Sequence, residues 1–129
     1  MSWSQESLAE LANQNPNWTV DSEGEVLSIS NDEGLDAFVY VGTGQILVNL
    51  ALFPVAKVSD VAALNNLIMR SHHLLPLSAI CVETIGTEDY YVAFGALSTD
   101  SQPSVIIEEI EVLFANVPEF FDLYAEYIS

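Results

Sequence analysis

Residues 37–53 constrain the fold more than any other stretch. Residues 37–41 are aromatic and β-branched, Gly42-Thr43-Gly44 reads as a hairpin loop, and 45–53 is a second extended run. Strands joined by so short a loop pair antiparallel, because a parallel return needs a crossover of about a dozen residues or more. A hairpin in the middle of the chain therefore argues against a parallel dinucleotide-binding sheet. From Ile46 to Phe53 the apolar run is broken only by Asn49. That near-continuity predicts a central strand with both faces covered.

The flanks extend this hairpin into an α+β pattern. Ser4 is placed to cap a short helix bearing Leu8, Leu11 and Ala12, which Asn15-Pro16 stops. Its apolar stripe is narrow, so it should pack on a sheet. Short strands at 18–20 and 26–29 follow, with turn signals at Asp21-Ser22-Glu23-Gly24 and Asn31-Asp32-Glu33-Gly34. Pro54 ends the central strand. Ser59 or Asp60 can cap a second helix running to about His73, with Val61, Leu64, Leu67 and Ile68 on one side. Arg70, His72 and His73 fall in its last turn, where cationic groups complement the helix dipole, and Pro76 bars continuation. Strands at 78–85 and 90–97 flank the turn Gly86-Thr87-Glu88-Asp89. Asp100 or Ser101 opens a last helix that tolerates Pro103 in its first turn. Val105, Ile106, Ile110, Leu113, Phe114 and Val117 form its apolar side, and Pro118 should kink or interrupt it before a final aromatic turn. The order is α-β-β-β-β-α-β-β-α. The fold class read from it is α+β: one two-layer domain over residues 1–129, a twisted antiparallel sheet of five to six strands with helices packed on it.

Charge then excludes partners. The chain has 19 Asp and Glu against two Lys and Arg, a formal net charge of -17, yet half its residues are hydrophobic. Six Phe, five Tyr and two Trp are spread from end to end, unlike a disordered acidic tail. Nucleic acid and anionic lipid should be repelled, since phosphate binding needs surplus Lys and Arg. No apolar stretch approaches the ~20 residues of a membrane helix, so direct membrane insertion is not expected. The first residues lack a basic, apolar leader pattern, and Cys81 is the single cysteine; together these point to the cytoplasm.

Residues that could carry chemistry are few. His72 and His73 are adjacent, so on a helix they point about 100° apart, unlike the four-residue spacing of helical zinc ligands. Cys81 sits in an apolar strand without a neighbouring cation, which favours a core cysteine over a nucleophile. The carboxylates gather as Glu23/Glu25, Asp32/Glu33/Asp36, Glu88/Asp89 and Glu108/Glu109/Glu111. Turn and solvent-side positions offer no burial to tune a catalytic acid, so these read as solvated surface. Gly42-x-Gly44 lacks the third glycine of a dinucleotide motif, and no P-loop or nucleophile elbow occurs. Gly95, inside an otherwise strong strand, marks a bulge or a close approach, by a packed helix or by a partner's backbone. Phe114, Phe120, Phe121, Tyr124 and Tyr127 load the C-terminal segment with aromatics. They either cap the core or form a dimer or partner contact.

Three stretches in the C-terminal half resemble the uncharacterised bacterial YjfI-like family. They are Leu75-Pro76-Leu77-Ser78, then Tyr91-Val92-Ala93-Phe94-Gly95-Ala96-Leu97-Ser98, then Ile107-Glu108-Glu109-Ile110-Glu111-Val112-Leu113 followed by Asn116. The resemblance covers roughly residues 60–120, and it carries over no catalytic residue. The element order and acidity are also similar to those of the type III secretion chaperones. That likeness implies a small homodimeric protein that binds extended segments of partners. The family resemblance further implies a phage-shock-type coiled-coil protein as a candidate partner.

The functional expectation is a non-enzymatic protein-interaction module, chaperone-like or regulatory. It would be homodimeric and would bind another protein through an apolar patch on an acidic surface. The alternative is a small-molecule or cation sensor using clustered carboxylates. Neither reading calls for a cofactor or a resident metal.

Overall fold

The computed structural model describes residues 2–74 and 78–128. Helix α1 (Gln5–Asn13) starts in a reciprocal cap: the Ser4 hydroxyl accepts from the Ser7 N–H, and the Ser7 hydroxyl accepts from the Ser4 N–H. Four strands follow, β1 (Thr19–Glu23), β2 (Val26–Ser30), β3 (Asp36–Val41) and β4 (Gln45–Pro54). Helix α2 (Val61–Ser71) is capped by the Asp60 carboxyl, which accepts from the Ala63 N–H. Strands β5 (Ala79–Ile85) and β6 (Glu88–Ser98) and helix α3 (Pro103–Tyr124) complete the order expected from the sequence. The six strands form one sheet in the order β1-β2-β3-β4-β6-β5, every pair antiparallel. Two-residue loops close the β1–β2 and β5–β6 hairpins. Gly24 and Gly86 sit there at φ 65 and 67, where a side chain is disfavoured.

Directly paired residues share a sheet face, so the register sorts the strands into two faces. Leu27, Ile29, Ala37, Val39, Ile46, Val48, Leu50 and Ala93 point one way and are buried. Leu8 and Ala12 of α1, Leu64 and Ile68 of α2, and Ile106, Ile110 and Leu113 of α3 join them in one core. Among the described residues no helix packs on the opposite face. Strand β4 is central, as its composition predicts, but only one of its faces is covered. Its exposure alternates, and Ala51 is open to solvent. The near-continuous apolar run reflects a helix-free face that is itself apolar.

Helix α3 corrects a second expectation. It runs unbroken through Pro118, because Phe114, Val117, Phe120 and Tyr124 are buried on either side of the proline and hold the helix to the core. Pro118 is solvent-exposed, so the carbonyl it leaves unpaired can be hydrated. The helix begins at Pro103 after Gln102, not at Asp100 or Ser101; those residues form a turn closed by the Ser101 N–H on the Ser98 carbonyl. Helix α2 ends at Ser71, and His72–Leu74 continue as a 3-10 turn. The stop assigned to Pro76 lies outside the described residues. The C-terminal segment is tied down where the Ser59 N–H donates to the Tyr127 carbonyl at 2.9 Å.

Candidate functional site

Strand β6 is longer than its edge neighbour. Ala79, the first residue of β5, pairs with Phe94, while β6 runs on to Ser98 paired with β4. The Ile80 N–H leaves the ladder and donates to His72 Nε2 at 3.2 Å. Ile80 thus faces the outer edge, and Ala79 and Cys81 bond to Phe94 and Val92. By alternation the N–H and C=O of Ala96 also point to the β5 side. Helix α3 contributes Val105, Glu108 and Glu109, and His72 and His73, just after α2, line another side. The result is an open cavity of about 530 Å³.

Glu109 dominates this cavity. It is 7% exposed, the only acidic or basic side chain buried among the described residues. Its carboxyl lies over Gly95, where any Cβ would meet it. No hydrogen bond from a described residue reaches that carboxyl, and no fully enclosed polar side-chain atom there lacks a partner. The oxygens must therefore open into the cavity. Burial raises the Glu109 pKa above the usual carboxylate range, and the neighbouring Glu108 raises it further. The helix-packing explanation of Gly95 thus holds, with a carboxyl as the group that packs. The sheet's irregularity lies elsewhere, between Ala51 and Phe53.

A second concavity lies on the helix-free face. Val26, Phe38, Ala51, Ile85 and Val92 line a trough of about 370 Å³ with Glu23 and Glu83 at its acidic positions, and Asn49, its one amide, donates to Glu83 at 3.5 Å. Phe38, Tyr40 and Ile85 are 40%, 44% and 46% exposed. Val92 is only 1% exposed although it stands apart from the helix-side core, so its neighbours on this face already shield it.

The aromatic tail divides. Phe114, Phe120 and Tyr124 are buried in the core, and Tyr127 is half-buried against it. Phe121 is 38% exposed, with its ring 5.7 Å from that of Phe53. His72 is half-buried and His73 exposed, at the helix end as expected. Cys81 is half-buried, not in the core; burial raises its thiol pKa, and so does Glu83. Of the carboxylates expected at the surface, Glu109 is the exception. No group of three or more His, Cys, Asp or Glu among the described residues is arranged to hold a metal. No helix there is long and apolar enough to cross a membrane. The sequence signals missed are Gly95, which marks the place of Glu109, and the alternation of Phe38 and Tyr40 with Ala37 and Val39.

Residues 2–128 match the model of a family described as uncharacterised proteins conserved in bacteria, DUF2170. Two relatives, each titled "Uncharacterized protein YjfI", come from Escherichia coli K12 and Escherichia coli O157:H7. Each is 28% identical over 131 residues, covering 98% of this chain and 98% of the relative. The resemblance first carried by the C-terminal half therefore extends over nearly the whole chain.

Proposed function

The chain belongs to the DUF2170 family of bacterial proteins, and we propose that it is a non-enzymatic protein-binding module that receives an amphipathic, basic segment of a partner on the helix-free face of its sheet. The observation that carries this reading is the apolar trough of Val26, Phe38, Ala51, Ile85 and Val92 between Glu23 and Glu83. An apolar floor with acidic rims suits a helix or strand whose apolar side chains are flanked by Lys or Arg. The net charge of -17 accelerates the encounter with such a segment and disfavours acidic competitors. The likeness to type III secretion chaperones in element order supports the same class of task. A phage-shock-type coiled-coil protein is the first partner to try, and the cytoplasm is the compartment this reading assumes. Self-association is its second part: Phe121, 38% exposed on α3, is what a second copy would bury.

The test is titration of the full chain with a basic amphipathic peptide and with the candidate coiled-coil protein. The paired substitution Phe38→Ser with Tyr40→Ser should abolish binding while the melting temperature stays near the native value, since both side chains are exposed. Unchanged affinity would remove the sheet face from consideration. Light scattering at micromolar concentration checks the dimer; a monomer whose mass is unaffected by Phe121→Ser would refute that part.

A further inference from the structure

We propose that the cavity between α3 and the C-terminal half of β6 binds a small organic cation, a primary ammonium or guanidinium group on an apolar stem, with Glu109 as its counter-ion. This site lies on the helix side of the sheet and is independent of the partner-binding face. It also narrows the expectation of a cation-binding sensor from surface clusters to one carboxyl.

A buried carboxylate without a partner is costly, and an apolar residue at position 109 would avoid that cost. Here the cost is accommodated by a strand residue that has no side chain. A Cβ at Gly95 would come within 2.8 Å of Glu109 Cδ, so the carboxyl keeps its place only because position 95 is glycine. The cavity it faces, about 530 Å³, is molecule-sized. Gly95, Leu97 and Val105 offer an apolar wall for a methylene stem. Glu108 adds negative charge at the mouth.

A metal ion fits less well. Calcium asks for six to eight oxygen ligands and zinc for about four donors. Among the described residues no such group converges. A single carboxylate between apolar walls matches an ammonium or guanidinium head, which gains from burial of its stem.

The experiment uses the full chain and titrates n-butylamine, agmatine and calcium chloride by calorimetry, each against sodium chloride at matched ionic strength. Glu109→Gln is compared with Glu119→Gln, a change at an exposed carboxylate of the same helix. An amine should bind the native chain and the Glu119→Gln chain, and bind Glu109→Gln about tenfold more weakly or worse, as loss of a charge-assisted contact implies. Butylamine and agmatine separate the ammonium from the guanidinium reading. In carbon NMR of the native chain the amine should lower the titration midpoint of the Glu109 carboxyl, a readout independent of any variant's folding. Equal amine binding by Glu109→Gln and the native chain, no binding by either amine, or a response to calcium alone would each overturn the proposal.

Discussion

The Glu109 carboxyl carbon lies 2.8 Å from the point a Cβ on Gly95 would occupy, and its Cγ lies 3.2 Å from it. Helix α3 and strand β6 therefore interlock through the absence of one methyl group. Gly95 has an ordinary extended backbone, so an alanine there meets no conformational barrier. In a Glu109→Ala background, Gly95→Ala should stabilise the protein by about 0.5–1 kcal/mol, the usual penalty of glycine in a strand. In the native background the same change forces the carboxyl aside and should lose that gain. The coupling energy should fall at about 0.5–3 kcal/mol, typical of residues in contact. Urea denaturation of the four chains measures it; additive effects would show that the carboxyl swings away freely.

Burial and Glu108 hold the proton on Glu109 to higher pH than in the unfolded chain. Between an unfolded carboxyl pKa of about 4.3 and the raised folded value, the native state binds more protons. Stability from this group thus falls as pH rises through that window, and above it the penalty is complete. Glu109→Gln removes the penalty. It should raise the melting temperature at pH 7, by roughly 4 °C for each kcal/mol relieved, and change it little near pH 4. Loss of the Glu109 charge also relieves the repulsion with Glu108, which acts in the same direction. A variant melting below the native chain at pH 7 would contradict this.

Much of the architecture is written in local signals. The hairpin loop at Gly42-Thr43-Gly44, the Ser4 and Asp60 caps and the turn at Gly86 are each decided by a few neighbouring residues. The succession of helices and strands along the chain follows from them, whereas the pairing of β4 with β6 across α2 is non-local and left no such signal. The faces of β4 were not legible, because an apolar side chain on a helix-free face reads the same as one in the core. Glu109 was hidden for the opposite reason. A carboxylate beside Glu108 and Glu111 looks solvated, and only the glycine on a strand 14 residues earlier shows where it goes. Of the aromatic tail, the helical period alone could not tell that Phe121 is open while Phe120 and Tyr124 are buried.

Pro118 offers a gain in stability. It interrupts the hydrogen-bond ladder of α3 at the Phe114 carbonyl on the exposed side of the helix. Pro118→Ala restores that bond and relieves the ring clash. Because alanine is about 3 kcal/mol more favourable than proline in a helix interior, and packing already offsets part of this, the expected gain is about 1–3 kcal/mol. Urea unfolding reads it directly. A loss of stability would mean that the proline's shape is needed where α3 turns toward the C-terminal segment.

Cys81 should be a slow thiol. Burial raises its pKa first and Glu83 second, so the reactive thiolate is scarce at neutral pH. Alkylation by iodoacetamide at pH 7.5 should proceed more slowly than for free cysteine, and Glu83→Gln should accelerate it, because the Glu83 charge is the second cause of the raised pKa. A native rate matching the free thiol would show that the half-buried position opens readily.

The charge itself makes the last prediction. With 19 acidic side chains and two Lys and Arg, most carboxylates have like charges for neighbours. Repulsion among them is greater in the compact state than in the expanded chain. Salt screens it over about 30 Å at 0.01 M and about 10 Å at 0.1 M. The melting temperature should therefore rise as sodium chloride increases across that range, and potassium chloride should do the same, since the effect is screening and not ion recognition. The rise should persist in Glu109→Gln, whose lost charge is one among many. A melting temperature that stays flat from low to high salt would mean that the acids are spaced widely enough for their repulsion to be negligible in the folded chain.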